Sequence, residues 1–207
     1  ITDKQNKKYK FLKKDLKSLK KNIYLNIIPD HNKGPAYSAI QAKSCEGKTN
    51  IIVTYCDFLM RWNYKKFKRE IINYNFGIIS FKDFHPSSFS GTLYCYLKVL
   101  NNEIINLREK KAFTNEPFLE FASTGSYYFR DFSDLKFYTQ KAFKTKAIIK
   151  NYKEIYVSLL YLAIINKKKK ILNFEVDKFI SIGTPKDYNQ YTDWYNFFNT
   201  NESSKYL

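Results

Sequence analysis

The sequence predicts an α/β domain built on a mixed, mostly parallel sheet. Short β-branched apolar segments alternate with segments whose apolar residues recur at helical spacing, a pattern typical of strands joined by helices. The 207 residues are enough for one domain with its own core, and glycine and proline are too scarce to form a long linker. We therefore predict one domain over residues 1–198 and a short polar tail over residues 199–207.

The individual elements follow from local patterns. An apolar stripe among lysines predicts an amphipathic helix over residues 7–21, and the apolar run 23–28, bounded by Pro29-Asp30, predicts a buried strand. Asn101-Asn102 separates two apolar segments and predicts a hairpin turn. The other predicted helices are 36–43, 64–73, 132–146, 156–165 and 185–198, and the other predicted strands are 50–55, 76–80, 94–99, 103–108, 123–129 and 171–175.

The net charge of +17 invites a nucleic-acid interpretation, which the composition argues against. Arginine is the preferred side chain for bidentate contacts to bases and phosphates, yet the chain has only four arginines. Lysine is abundant together with Ile, Asn, Tyr and Phe, which AT-rich codons encode, so genome composition explains the charge. We expect no specific nucleic-acid partner.

The cysteines and the apolar runs bear on the compartment. Cys45, Cys56 and Cys95 show neither a CxxC pair nor histidines at zinc-site spacing, and an odd number of scattered cysteines suggests reduced thiols. No apolar run approaches the ~20 residues of a membrane helix, and the N-terminus lacks the apolar region of a signal peptide. We expect a cytoplasmic protein without a membrane partner.

Candidate ligand-binding residues lie at the carboxyl ends of predicted strands, where α/β sheets bind ligands. Asp57 follows strand 50–55, where a carboxylate can hold Mg²⁺ against phosphate oxygens or simply cap the next turn. Gly34 lies between a strand and a helix, where it can let backbone approach a ligand or merely turn the chain. From position alone, both alternatives stay open for each residue.

Two further segments combine groups suited to a sugar phosphate. Glu109 can accept hydrogen bonds from sugar hydroxyls and Lys110 can pair with a phosphoryl group, although such a triplet, with Arg108, also occurs as a surface charge cluster. The segment 120–125 offers hydroxyls and a glycine at the start of a strand. The two histidines, His31 and His85, have no nearby nucleophile elbow, so we predict no hydrolase triad.

These segments, in this order, resemble the nucleotidyltransferase family that makes nucleotide-diphosphate sugars, and most closely its branch linked to capsule and lipopolysaccharide sugars. Each piece is weak alone, but six in the family's order are fairly specific and span nearly the whole chain. The matching pieces are Gly34-Pro35-Ala36, Tyr55-Cys56-Asp57-Phe58, Arg108-Glu109-Lys110, Ala122-Ser123-Thr124-Gly125, Glu154-Ile155-Tyr156-Val157-Ser158 and Gly183-Thr184-Pro185-Lys186-Asp187.

The resemblance implies a three-layer fold and a reaction between a nucleoside triphosphate and a sugar 1-phosphate, with Mg²⁺ as cofactor. It implies that Asp57 binds the metal and, with Lys110, serves catalysis. The other implied roles are nucleotide binding by Gly34, Pro35 and Ala36, and sugar binding by Glu109, Ser123, Thr124, Gly125 and Glu154. The base, the sugar and the oligomeric state are left open, a homo-oligomer included.

The sequence departs from the family's pattern in two ways. The family begins with a strand and a Gly-rich turn carrying an Arg and a Lys, and nothing like it precedes Gly34. We therefore expect a first strand–helix–strand unit to be missing, and weak or no activity from this chain alone. Many relatives carry an Asp where this chain has Ser181, so metal coordination by two aspartates is in doubt.

Two alternatives remain beside the nucleotidyltransferase hypothesis. The chain could be a non-catalytic module that binds a sugar phosphate or nucleotide without turnover. It could also be a related glycosyltransferase that consumes nucleotide sugars. Asp57-Phe58-Leu59 does not supply the Asp-x-Asp metal motif that such glycosyltransferases usually need.

Overall fold

The structure is a computed structural model that describes residues 1–19, 22–82 and 92–199. The chain forms two compact units, each assembled from two stretches of sequence. Unit 1 comprises Ile1–Val53 and Phe129–Lys169, and unit 2 comprises Thr54–Tyr128 and Lys170–Leu207. The predicted tail at 200–207 and the loop around His85 lie outside the described residues.

Helices and strands alternate along the described chain, which confirms the predicted α/β class. The helices are α1 (Asp3–Lys8), α2 (Leu12–Leu19), α3 (Pro35–Ile40), α4 (Tyr64–Glu70), α5 (Phe132–Ala142), α6 (Lys146–Asn151), α7 (Val157–Asn166) and α8 (Pro185–Asn199). The strands are β1 (Thr49–Thr54), β2 (Phe58–Arg61), β3 (Phe76–Phe81), β4 (Cys95–Leu100), β5 (Glu103–Glu109), β6 (Phe121–Asp131), β7 (Ile171–Glu175) and β8 (Lys178–Ser181).

Unit 1 has a helical core in which α5 packs on α7. Leu135 of α5 and Leu160 and Ile164 of α7 are completely buried, and the Phe129 ring lies 5.3 Å from the Tyr161 ring. The apolar residues of α7 leave almost no polar face, which is typical of a helix enclosed by its neighbours. This core holds the stretch 129–169 together.

Unit 2 contains a mixed sheet, so the expectation of a mostly parallel sheet was too simple. β3 pairs in parallel with β7, whereas β4 pairs antiparallel with both β5 and β6, and β5 pairs antiparallel with β7. β2 and β8 form a separate antiparallel pair. The predicted hairpin at Asn101-Asn102 is confirmed, and both asparagines have the positive φ that a tight hairpin turn needs.

The core of unit 2 is aromatic and centres on β3, all six of whose residues are buried. The Phe67 ring contacts the rings of Tyr128 and Phe174 at centroid distances of 5.8 and 5.2 Å. The Ser80 hydroxyl donates a buried 2.8 Å hydrogen bond to the Asn173 side chain, which ties β3 to β7. The carboxyl ends of β3 and β7 are therefore held in place, and the loops that follow these strands begin from fixed positions.

Two predicted elements were wrong. The helix predicted over residues 7–21 is two helices, because α1 ends at Lys8 and α2 begins at Leu12. The strand predicted over 23–28 forms only one isolated bridge, in which Ile28 pairs with Thr2, and Tyr24 and Ile27 are exposed.

Within the described ranges, no helix has both the length and the apolar character needed to cross a membrane.

Candidate functional site

The Gly34 turn in unit 1 brings together four of the residues predicted to bind ligands. The Ala36 N–H donates to the Ile155 carbonyl at 3.1 Å, and the Ile155 N–H donates to the Lys33 carbonyl at 3.1 Å. Gly34 therefore lies directly against the 154–155 segment, with Pro35 at the start of α3. The predicted nucleotide-binding residues and Glu154, predicted to bind sugar, are neighbours.

Only glycine fits at position 34. Its φ is +89°, and an added Cβ would lie 2.7 Å from the Ile155 nitrogen and 2.9 Å from the Glu154 Cβ. Ala36 is completely buried, whereas Glu154 is exposed. The side chain of Ala36 thus serves packing, and the accessible chemistry at this turn comes from backbone groups and the Glu154 carboxylate.

Asp57 in unit 2 is held by its backbone against the segment that follows β8. Phe58 pairs with Ser181 in the β2–β8 ladder, and the Ile182 N–H donates to the Asp57 carbonyl at 2.9 Å. A Cβ on Gly183 would lie 3.0 Å from Asp57 Oδ2, so the glycine leaves room for this carboxylate. The Asp57 side chain itself is exposed.

Asp187, which received no role in the sequence analysis, organises the turn beside Asp57. Its carboxylate accepts from the Thr184 N–H at 3.2 Å, and its own N–H donates to Thr184 Oγ1 at 3.1 Å. The Ser181 hydroxyl lies 3.5 Å from the same carboxylate. Thr184-x-x-Asp187 has the spacing of a helix capping box, a signal that could have identified this residue.

The donor set around Asp57 decides what kind of metal site could form there. Among the residues that the structure describes, no group of three or more His, Cys, Asp or Glu side chains could hold a metal ion. Mg²⁺ usually takes one or two protein carboxylates and completes its shell with water and substrate phosphates. The exposed Asp57 carboxylate fits a metal shared with a substrate, and it does not fit a site built from protein alone.

Glu109 and Lys110 lie where β5 ends. Glu109 pairs with Cys95 across the hairpin and is half-buried, while Lys110 is exposed with a φ of +55°. The Lys110 N–H donates to the Tyr94 carbonyl at 2.9 Å, and its carbonyl accepts from Thr92 Oγ1 at 2.8 Å. The backbone of Lys110 is therefore fixed at both its N–H and its carbonyl, and the residue is exposed.

The predicted sugar-binding segment of β6 is buried, and its hydroxyls bond to backbone. Thr124 Oγ1 donates to the Ile79 carbonyl at 3.0 Å, and Ser123 Oγ accepts from the Gly125 N–H at 3.0 Å. Burial raises the pKa of the neighbouring Tyr127 well above its usual value. The two hydroxyls therefore stabilise the strand, and their sugar-binding role stays a prediction.

Gly125 lets β6 approach Tyr55. Its φ is +90°, and an added Cβ would lie 2.8 Å from Tyr55 Cδ2. The Tyr55 N–H donates to the Gly125 carbonyl at 3.1 Å, and Thr54 Oγ1 lies 2.8 Å from Ser126 Oγ. These contacts fix the residues that lead directly into Asp57.

Comparison with known proteins identifies the fold. No protein-family model matches the sequence, and no curated protein matches it. The crystal structure of the nucleoside-diphosphate-sugar pyrophosphorylase from Vibrio cholerae RC9 superposes with a TM-score of 0.73. The match covers 93% of this chain and 78% of that one, at 16% sequence identity. The two proteins share a fold.

A second solved structure leads to the same conclusion. HddC from Yersinia pseudotuberculosis matches with a TM-score of 0.57 and 17% identity, over 89% of this chain and 74% of that chain. Identities this low establish the fold and leave the activity to be inferred. The resemblance deduced from the six sequence motifs is thus supported at the level of the fold.

Proposed function

We propose that this protein transfers a nucleotidyl group from a nucleoside triphosphate to a sugar 1-phosphate, giving a nucleotide sugar and pyrophosphate. The observation that carries the proposal is the exposed Asp57 carboxylate, which lies next to Gly183. The fold around it is shared with a protein named nucleoside-diphosphate-sugar pyrophosphorylase. This carboxylate follows a strand, as expected for a phosphate-associated metal ligand in an α/β domain.

The proposed reaction needs positioning and charge neutralisation more than a protein acid or base. A phosphate oxygen of the sugar 1-phosphate attacks the α-phosphorus of the triphosphate and forms a new P–O bond. The bond from the α-phosphorus to the oxygen bridging it to the β-phosphate breaks, and pyrophosphate leaves with that oxygen. The nucleophile is already an anion, so no proton has to be removed.

Each predicted residue has a role in this proposal. The Gly34-Pro35-Ala36 turn receives the nucleotide, and Lys110 neutralises phosphoryl charge while Glu109 accepts from sugar hydroxyls. The remaining sugar contacts fall to Glu154 and to the β6 segment Ser123, Thr124 and Gly125. Asp57 would hold Mg²⁺, which when bound would offset the negative charge of the reacting phosphates.

The narrower proposal is a cytoplasmic enzyme that supplies nucleotide sugars for surface polysaccharides. It rests on the sequence resemblance to the capsule and lipopolysaccharide branch. The cysteines agree with a reducing compartment, since all three lie within the described residues and none forms a disulfide.

The test is pyrophosphate release with each common nucleoside triphosphate, paired with a panel of sugar 1-phosphates, in the presence of Mg²⁺. Asp57→Asn keeps the size of the side chain and removes its charge, so we expect whatever turnover the native chain shows to fall about 100-fold or more. Because the side chain is exposed, the free energy of unfolding should change by less than about 0.5 kcal/mol.

Asp193→Asn, which removes an exposed carboxylate from α8, is the matched control and should keep full turnover. Equal turnover by the Asp57→Asn variant and the native chain would refute the metal role. A chain that binds nucleotide and sugar phosphate in calorimetry but never releases pyrophosphate would favour the non-catalytic binding module.

A further inference from the structure

His31 makes two hydrogen bonds that span the turn predicted to bind nucleotide. The Lys33 N–H donates to His31 Nδ1 at 3.2 Å, and His31 Nε2 lies 3.0 Å from the Ser38 hydroxyl in α3. The ring also meets Tyr37 edge-on, with centroids 4.7 Å apart. The imidazole therefore connects the residues on both sides of Gly34.

These contacts match one tautomer of the neutral ring. Nδ1 accepts a hydrogen bond from a backbone N–H, so it carries no proton, and the single proton of the neutral ring is on Nε2. Nε2 then donates to Ser38. A second proton on Nδ1 would point at the Lys33 N–H and would remove this hydrogen bond.

The backbone of Lys33 connects the histidine to the contact that Gly34 makes. Its N–H bonds to His31, and its carbonyl accepts from the Ile155 N–H at 3.1 Å. The Ile155 carbonyl in turn accepts from the Ala36 N–H at 3.1 Å. A change in the backbone torsions of Lys33 that releases its N–H from His31 would therefore also disturb the contact of Gly34 with the 154–155 segment.

We infer that His31 is a positioning residue which, in its neutral form, holds the Lys33–Ala36 turn in the conformation that receives the nucleotide. This inference rests on the nucleotide-binding role proposed for Gly34. It also makes nucleotide affinity depend on pH. Affinity is highest where the ring is neutral and falls where the ring gains a second proton, because Nδ1 then no longer accepts from the Lys33 N–H.

Other charged groups lie around the same turn. The Asp30 carboxylate precedes the ring, and a hydrogen bond from Thr2 lowers its pKa. The Lys33 ammonium lies 4.4 Å above the Tyr37 ring, and Glu154 comes from the segment that packs on Gly34. Ordinary carboxylates and ammonium groups stay ionised between about pH 5.5 and 8. A response in this window that is lost when the histidine alone is replaced therefore reports on the histidine.

The test measures hydrogen exchange at the Ile155 amide, corrected for its intrinsic rate, together with binding of ATP, GTP, CTP, UTP and dTTP by calorimetry. For the native chain, we expect protection at Ile155 and nucleotide affinity each to fall about tenfold between about pH 8 and 5.5. His31→Asn supplies a non-titrating acceptor two residues before the Lys33 N–H, as in an Asx turn. This variant should keep protection at Ile155 nearly constant, and its affinity should change only as far as protonation of the triphosphate itself requires.

The chain has only two histidines, so His85→Asn is the matched control and should retain the native pH response. His31→Leu, which has no acceptor, should be low in protection and affinity at every pH. A native chain without pH response, or a His31→Asn variant that responds as the native chain does, would overturn the inference. Exchange that depends on His31 in a chain that binds none of the five nucleotides would instead refute the proposed function.

Discussion

Gly34 in unit 1 and Gly183 in unit 2 both lie where an added Cβ would crowd a neighbour, but the neighbours differ. At Gly34 the neighbours are the Ile155 backbone nitrogen at 2.7 Å and the Glu154 Cβ at 2.9 Å, and φ is +89°. At Gly183 the neighbour is the Asp57 carboxylate at 3.0 Å, and φ lies outside the left-handed region. Backbone cannot yield, whereas an exposed carboxylate can rotate away.

The difference separates two reasons for a glycine. The fold requires Gly34, because neither its own backbone nor that of its neighbour tolerates a side chain. The fold does not require Gly183 in this sense, since the cost of a side chain there falls on the position of Asp57. Substitutions at the two sites should therefore affect different observables, one the stability and the other the activity.

The largest effect is expected for Gly34→Ala. Positive φ and a collision with backbone should together lower the free energy of unfolding by about 3 kcal/mol or more, measured by urea denaturation. Gly47→Ala is the matched control, because Gly47 has a φ of +65° and nothing within 4 Å of an added Cβ. It should cost only about 1 kcal/mol, from backbone strain alone. Equal losses at both sites would show that the backbone collision contributes nothing.

An intermediate effect is expected for Gly125→Ala, because its crowding neighbour is a side-chain ring. With a φ of +90° and the Tyr55 ring 2.8 Å from the added Cβ, the free energy of unfolding should fall by about 2 kcal/mol. The same substitution in a Tyr55→Ala background should cost only the backbone strain, about 1 kcal/mol. An unchanged cost in that background would contradict the role given to the ring.

The smallest effect on stability is expected for Gly183→Ala, within about 1 kcal/mol of the native chain, because Asp57 can move and alanine restricts the unfolded chain. The displaced carboxylate should weaken metal activation, so the Mg²⁺ concentration for half-maximal pyrophosphate release should rise about tenfold. A variant with native Mg²⁺ dependence would break the link between Gly183 and the metal site. Asp57→Asn serves as the reference for complete loss of metal activation.

Elements were predicted correctly where the sequence pattern that specifies them lies within a few neighbouring residues. The Asn101-Asn102 hairpin is an example, because two neighbouring asparagines that tolerate positive φ sit between two apolar segments. The run 23–28 failed because a β-branched segment becomes a strand only when a partner pairs with it, and only Ile28 does so. Strand direction failed for the same reason, since the antiparallel pairing of β5 with β7 joins residues distant in sequence.

The candidate site residues also separate into features that local sequence predicts and contacts that depend on residues distant in sequence. Asp57 was predicted from its position after a strand, and Gly34 from its position between two elements, both of which are local features. The contact of Gly34 with residues 154–155 could not be deduced, because about 120 residues lie between them and hydrogen bonds across such a gap leave no sequence pattern. The His31 interaction was missed although its partners are close in sequence, since a single histidine carries no signal of which atoms it bonds.

The division of each unit into two stretches of chain has a consequence for synthesis. Residues 1–53 leave the ribosome before residues 129–169, so their unit is complete only after Lys169 has followed, and residues 54–128 must wait for the stretch that begins at Lys170. Neither unit can therefore fold to completion while the first half of the chain is being made. The nascent chain must keep its exposed apolar segments from aggregating until late in translation, a period in which chaperones would act on it.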